Sequence, residues 1–459
     1  MTEKPAPIAV VVMAAGQGTR MRSDIPKVLQ PMAGRPLLAH VLDLAADLGS
    51  AKTVVVYGHG GDLVQATFPD PALEWALQAE QLGTGHAVQQ AMPHISDDMR
   101  VLVLCGDVPL LTQASVQRLV DETPTDSVGV LTAYLDDPFG YGRIVRGDDD
   151  AVLRIVEQKD GTPEELAIRE INSGVFIVPA GQLRGWLDRL TPQNNQNELY
   201  LTDIVGLAVT DGVTVRGIPA DSFEEMMGIN DRVQLAAAER VYQRKLVEQL
   251  MRDGARVADP ARVDIRGKVI VGRDVFIDVN AVLTGDVTLG DRVQIGPNCS
   301  ITDASIGADT VVLANSVIES SQVGTHCNIG PFARLRPGTD LAERAKVGNF
   351  VEIKKSTVGV GSKVNHLTYI GDATIGTNVN VGAGTITCNY DGANKHQTVI
   401  GDGAFIGSGV ELVAPVTIGK GATIGAGSTI TKPAPEDTLT LERARQSSIK
   451  SWQRPTKNK

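Results

Sequence analysis

The stretch Ile418-Gly419-Lys420-Gly421-Ala422-Thr423-Ile424-Gly425 sets an aliphatic residue before a glycine twice, six residues apart. The pairing runs back through the chain as Ile406-Gly407 and Ile400-Gly401, Val381-Gly382 and Ile375-Gly376, Ile329-Gly330 and Val323-Gly324, and Ile295-Gly296 and Leu289-Gly290. Val271-Gly272, Ile306-Gly307, Val347-Gly348, Val358-Gly359 and Ile370-Gly371 add to it. A period of six fits neither a 3.6-residue helix nor the alternation of an ordinary strand. It fits a coiled sheet in which each short strand buries one aliphatic side chain and then turns. Glycine is expected at those corners because a tight turn often needs positive φ or no Cβ. Stacked coils bury each other's open faces, so the run from about Val263 to Ile430 predicts a solenoid.

Composition bounds the rest. A chain of 459 residues has room for two or three domains. Aromatics make up only 4%, which suits thin coils with little room for rings. A formal net charge of -11 argues against nucleic-acid or anionic-membrane binding. Cys105, Cys299, Cys327 and Cys388 are scattered, with no short Cys/His spacing. Neither a zinc site nor a disulfide framework is expected, and a reducing, cytoplasmic compartment fits. The apolar run Ile8 to Ala15 follows acidic Glu3 and precedes Gly-rich sequence, so it reads as a first strand rather than a leader. No run approaches the apolar length of a membrane span.

The repeat pattern resembles the hexapeptide-repeat, left-handed parallel β-helix family, which includes many acyltransferases. Ahead of it, apolar runs at Ile8–Met13, Val54–Tyr57, Val101–Leu104, Val128–Ala133 and Val175–Val178 alternate with helical stretches. That alternation predicts a Rossmann-like α/β sheet, whose ligands bind at the carboxyl ends of strands. Asp231 to about Met251 reads as one helix, a rigid spacer of roughly 30 Å. The expected domains are 1–231, a linker helix 232–253, and 254–459 with a basic tail (Arg443, Arg445, Lys450, Arg454, Lys457, Lys459). Pro331–Val347 and Thr387–Thr398 interrupt the repeats and are expected to form loops on one face.

The first strand leads into Ala14-Ala15-Gly16-Gln17-Gly18-Thr19-Arg20-Met21, then Pro26-Lys27. Strand-end amides and a helix N-terminus can hold phosphate oxygens, and Arg20 and Lys27 can offset a triphosphate's charge. The spacing is neither Walker A nor the dinucleotide fingerprint. It resembles the signature of sugar-1-phosphate nucleotidyltransferases. Gln78-Ala-Glu-Gln-Leu-Gly83-Thr84-Gly-His86, Gly106-Asp107, Tyr141-Gly142-Arg143, Glu157-Gln158-Lys159, Asn172-Ser173-Gly174 and Gly228-Ile229-Asn230 match that family in order. The resemblance implies that Asp107 and Asn230 hold Mg²⁺, and that Gln78, Gly83 and Thr84 read uracil. It has Gly142, Glu157 and Asn172 hold the sugar, with Met13, Ala14, Ala15, Gly16, Arg20, Lys27, Cys105 and Gly106 completing the UTP site. The family commonly has Leu at Met13 and Tyr at Cys105, which leaves backbone contacts intact and weakens any side-chain role.

In the repeats, Gly361-Ser-Lys-Val-Asn365-His366-Leu-Thr-Tyr369 carries the one histidine with chemical company: Arg336 and Lys354 on neighbouring repeats, then Asn380 and the Asn389-Tyr390 loop. An amino sugar's amine must lose a proton before it attacks a thioester, and an imidazole suits that task. Gly330–Pro415 resembles the acetyltransferase half of the bacterial bifunctional family that makes UDP-N-acetylglucosamine for the cell envelope. The resemblance implies His366 as base and Arg336, Lys354, Tyr369 and Asn380 on glucosamine-1-phosphate. It places Ala383, Asn389, Tyr390, Ser408, Ala426 and Arg443 on acetyl-CoA, in a homotrimer with the site between subunits. Three rival readings compete: a single-activity nucleotidyltransferase whose repeats only oligomerise, a non-catalytic trimeric scaffold, and zinc shared by His326, His366 and His396.

Overall fold

The computed structural model describes residues 6–58, 60–148 and 150–457. Glu3 and Lys459, used above as charge markers, lie outside them. The chain divides into two compact units, Met1–Tyr242 and Gln243–Lys459. No helix among the described residues is long and apolar enough to cross a membrane.

The first unit is built on a twisted sheet. Its main strands are β1 (Ile8–Met13), β2 (Lys52–Tyr57), β3 (Leu73–Leu77), β4 (Arg100–Cys105), β5 (Val128–Tyr134), β6 (Glu170–Pro179) and β7 (Val215–Pro219), in the order β7-β5-β6-β4-β1-β2-β3. β1 runs parallel to both β2 and β4, so successive crossovers leave it in opposite directions. Val10 to Val12 are fully buried because helices cover both faces of this central strand. The register sets Met13 against Cys105, so the segments that follow the two strands emerge side by side. This is the switch point at which doubly wound sheets bind ligands.

One strand differs from expectation. The run Val175–Val178 lies in the longer β6, which is antiparallel to β4 and β5. An apolar run does not encode direction. A register shift between Asn172 and Phe176, with Gly174 at φ 80°, interrupts that strand and re-aims Asn172. The N-terminal half of helix Arg232–Arg252 belongs to this unit: Ala238 joins a buried cluster, and Tyr242 meets His40 edge-on at 4.9 Å.

The second unit is a parallel β-helix. Two long sheets of short strands climb together, most strands pairing with a counterpart 17 or 18 residues on, as Val263 does with Ala281 and Ser300 with Val317. One continuous column of Ile, Leu, Val and Ala fills the interior. Gln243 closes the first coil, donating to Ile265 O and accepting from Ile265 N, both at 2.7 Å.

Of the two expected reasons for the corner glycines, the want of room for a Cβ is the one that holds. Among the paired glycines named above, only Gly330 has positive φ. The others are needed because coils stack backbone on backbone. A Cβ on Gly359 would lie 2.3 Å from Gly376 O, and one on Gly382 would lie 2.6 Å from Gly407 C. The left-handed conformation falls two residues later, at Asn298, Asp309, His326, Phe332, Phe350 and Asn378. Asparagine and aspartate tolerate it, but phenylalanine is an outlier there.

Pro331–Val347 is not a loop. Arg334 pairs with Val317 below and Glu352 above, so the stretch is a regular coil with an atypical sequence. Of Thr387–Thr398, the part between Cys388 and Thr398 does leave the coil. It is closed by an antiparallel bridge between Tyr390 and Lys395, and the ladder resumes at Thr398.

Candidate functional sites

The ends of β1 and β4 open onto a cleft of about 370 Å³. Met13, Ala14, Ala15, Gly16, Lys27, Gln78, Gly83, Thr84, Cys105 and Asp107 all line it. Backbone bonds fix its floor: Ala14 N donates to Val56 O at 2.8 Å and Gly106 N to Met13 O at 2.9 Å. Gly18 has φ 62°, and a Cβ there would sit 2.7 Å from Lys27 Cβ, so only glycine lets this loop fold over the lysine. The Lys27 ammonium is held by the Asp107 carboxylate and by Asn230 Oδ1 at 3.3 Å. Two oxygens from distant segments thus converge on one cation, and a hard divalent ion takes the same donors. Burial, with Asp107 adding to it, pushes the Cys105 thiol up to about 12, so at neutral pH it lines the cleft as a small uncharged wall.

The residues expected on the sugar form a second group. Asn172 N donates to Gly142 O at 2.9 Å, and a Cβ on Gly142 would lie 3.4 Å from Glu157 Oε1. Burial holds the Glu157 carboxyl above its usual range, while a bond from Thr202 Oγ1 at 3.1 Å opposes the shift. Arg20 stands exposed on a short turn. Gln81 carried no expectation, yet its Nε2 donates to Ala15 O at 2.6 Å and ties the two lips of the cleft. A long-range bond from a side chain to the main chain leaves no spacing signal.

In the β-helix, His366 is exposed at the end of strand Lys363–His366. Its Nδ1 bonds Asn349 Oδ1 at 3.0 Å, one coil below. With the Asn349 oxygen facing the ring, Nδ1 is the nitrogen that carries the proton and Nε2 the one with the lone pair that a general base needs. Asn349 is another residue the sequence did not single out.

Ala383, Ser408 and Ala426 take the same place as His366 on the coils above. Gly384 N donates to His366 O at 3.3 Å, Gly409 N to Ala383 O at 2.8 Å, and Gly427 N to Ser408 O at 2.9 Å. Arg443 Nη1 then donates to Ala426 O at 2.9 Å. Along this edge the left-handed residues Phe332, Phe350 and Leu367 give way above His366 to Gly384, Gly409 and Gly427. The two phenyl rings stack at 5.3 Å and stay about half exposed.

Around the corner from His366, Arg336, Lys354 and Tyr369 lie on successive coils. Arg336 donates to Glu352 at 2.7 Å. Lys395, beside Lys354, pushes that ammonium below its ordinary value, and Arg336 adds to the effect. Among the described residues no carboxylate bonds Lys354 or Lys395, so this patch favours an anion. One expected member stands apart. Asn380 pairs with Lys363, three residues before His366 on its strand. Asn389 is buried, with Nδ2 on Asp372 Oδ2 at 2.5 Å, while Tyr390 is exposed and donates to Gly392 O at 2.6 Å. The histidines are not gathered: His326 faces Asp309 and His396 bonds Asp391, and no group of metal-ligating side chains is found among the described residues.

The fold and the two sites define a nucleotidyltransferase domain joined to a hexapeptide-repeat transferase. The MobA-like NTP transferase domain family matches residues 10–161, the GMPPB C-terminal domain family residues 265–358, and the bacterial transferase hexapeptide family residues 397–432. The bifunctional protein GlmU of Marinobacter nauticus is 54% identical over 453 residues, covering 98% of this chain and all of the relative. That of Azoarcus sp. is 53% identical over 450 residues, with the same coverage. A solved UDP-glucose pyrophosphorylase complexed with UDP-glucose overlaps 52% of this chain and 99% of its own, at 16% identity and a TM-score of 0.45. The chain belongs to the bifunctional GlmU family.

Proposed function

We propose how the two activities of this bifunctional enzyme are divided along the chain. Acetyl transfer from acetyl-CoA to glucosamine-1-phosphate runs on the β-helix. Uridylyl transfer from UTP to the resulting N-acetylglucosamine-1-phosphate, with release of pyrophosphate, runs in the cleft of the first unit. The functional boundaries are 1–231, 232–253 and 254–459, and the enzyme works in the cytoplasm.

The edge that carries His366 supports this reading best. Above the histidine it is stripped to glycine and small residues, a track free of side chains that suits the long arm of a thioester. His366 Nε2 takes the proton from the sugar's ammonium, and the freed amine attacks the thioester carbonyl. The oxyanion falls near Ser408; as it collapses the C–S bond breaks, His366 returns its proton to the departing thiolate to release CoA, and the new amide nitrogen loses its extra proton to water. Arg336, Lys354, Tyr369 and Asn380 hold the sugar phosphate. Ala383, Asn389, Tyr390, Ala426 and Arg443 border the CoA path. The exposed, strained Phe332 and Phe350 below His366 favour a covering second copy. We place that copy in a homotrimer with the site completed between subunits.

In the cleft, Gln78, Gly83 and Thr84 hold the base. Gly142, Glu157 and Asn172 hold the sugar. The Met13–Gly16 strand end, Cys105–Gly106, Arg20 and Lys27 hold the phosphates. Asp107 and Asn230 are the donors for Mg²⁺, which when bound lowers the repulsion between the phosphate groups. Lys27 then turns its charge from Asp107 to the departing pyrophosphate.

Two assays on one protein test the division. His366→Ala lowers CoA release with glucosamine-1-phosphate by about 10²- to 10⁴-fold and leaves UTP-dependent pyrophosphate release at the parent rate. Asp107→Ala does the converse. Acetyl transfer near the parent rate in His366→Ala removes the base assignment. If both activities fall together in either variant, the division is wrong.

A further inference from the structure

We infer that His86, to which no role has been given so far, is a positioning residue that makes the cleft select a base carrying a ring N–H over one that lacks it. The inference rests on the assignment of Gln78 to the base.

Gln78 is 5% exposed and its side chain reaches the cleft from the end of β3. Its Nε2 lies 3.0 Å from Gly83 O and 3.2 Å from His86 Nδ1. Which end of an amide is nitrogen is an assignment, but here chemistry decides it. A backbone carbonyl can only accept, so the end facing Gly83 must be the NH₂. Both of its hydrogens are then committed, one to Gly83 O and one to His86 Nδ1. The second bond requires a bare Nδ1, so the imidazole is neutral with its proton on Nε2. The amide oxygen has no donor among the described residues and is the end left for a ligand.

An acceptor so fixed matches one class of pyrimidine. Uracil presents N3–H, a donor; cytosine presents N3 as an acceptor and would face the amide oxygen lone pair to lone pair. A freely turning glutamine could offer NH₂ to cytosine instead. With Gly83 O alone as anchor, the turn costs one bond; with His86 it also costs the bond to Nδ1 or forces the imidazole proton from Nε2 to Nδ1. His86 therefore does not touch the base but raises the cost of the alternative reading.

The test measures kcat/KM for UTP and for CTP, with acetyl transfer in the same preparation as the folding control. His86→Phe keeps the ring but has no acceptor; the UTP:CTP ratio is expected to fall about tenfold, mostly through KM, with kcat for UTP within about threefold of the parent. His86→Asn restores an acceptor near the place of Nδ1 and is expected to recover most of the ratio. Gln78→Leu sets the scale by removing the reader. If Gln78→Leu loses the preference and His86→Phe keeps it, His86 does not fix the amide and the inference falls. If Gln78→Leu also keeps it, the base assignment itself is wrong. Equal loss in His86→Phe and His86→Asn would reduce His86 to a packing role and overturn the inference as well.

Discussion

On the proposed division, the two units solve the same problem, holding an anionic substrate beside a reactive group, in opposite ways. The first closes a concave cleft whose parts are tied within one chain: Lys27 to Asp107 and Asn230, Gln78 to Gly83 and His86, Gln81 to Ala15. The second displays its reactive group on a convex edge, with His366 exposed and anchored by Asn349. A cleft excludes water by its own walls, whereas an edge needs something laid against it. The first site should be intact in a lone chain and the second should depend on assembly.

The sharpest way to break that contrast is Phe350→Asp. Aspartate accepts the left-handed backbone at φ 56° better than phenylalanine does, so the fold should survive. The apolar contact is lost, and sedimentation should show lower oligomers. Acetyl transfer should drop by an order of magnitude or more, roughly the effect of losing a well-packed contact residue, while pyrophosphate release holds. Acetyl transfer that persists in a purely monomeric variant would erase the distinction.

A smaller effect is expected from Gly359→Ala, which sets a methyl against Gly376 O in the coil above. Overpacking of this kind costs about 1–3 kcal/mol. Melting of the β-helix should shift down with no change in nucleotide selectivity. An unchanged melting temperature would mean that the coils part easily, and that close stacking is not why glycine stands there.

The smallest effect concerns the loop that leaves the β-helix after Cys388. Asp391 accepts from Ala393 N at 2.8 Å, Asn394 N at 2.6 Å and His396 Nε2 at 2.7 Å. The Asn394 amide first, then His396 and the Ala393 amide, hold its carboxyl well below the usual carboxylate range. A depressed carboxyl adds stability above its unfolded value, near 3.9, and loses it as pH falls further. Asp391→Asn should therefore melt slightly below the parent at neutral pH, with the gap closing below about pH 4. A gap that widens in acid would reverse the sign and exclude this cap. In the same variant KM for acetyl-CoA should rise modestly, since Asn389 and Tyr390 open this loop.

What the sequence made legible was whatever has a local period or a contiguous motif. The six-residue spacing announced the coils, and Gly16 to Lys27 announced a loop at a strand end that lines the cleft. The order of motifs separated two chemistries. What it hid was set by space. The direction of β6 depends on its neighbours rather than on its own apolar run. The paired glycines were expected to supply positive φ or a missing Cβ; they supply the second, and positive φ falls two residues later on side chains as unlike as Asn298 and Phe350. Pro331–Val347 broke the pattern in letters while keeping it in space. Asn349 and Gln81 were given no role because each bonds a partner brought near only by folding.

The parallel ladder has one more implication. Because Ala281 stands directly over Val263, and Val282 beneath Ser300, a whole turn of chain could be spliced out or in without disturbing any pairing elsewhere. Each turn adds about 4.8 Å of height, and the turns before Pro331 carry none of the groups assigned to acyl chemistry. The prism is thus a ruler whose length evolution or an engineer can set in fixed increments, raising or lowering the imidazole along the axis while the reaction stays the same.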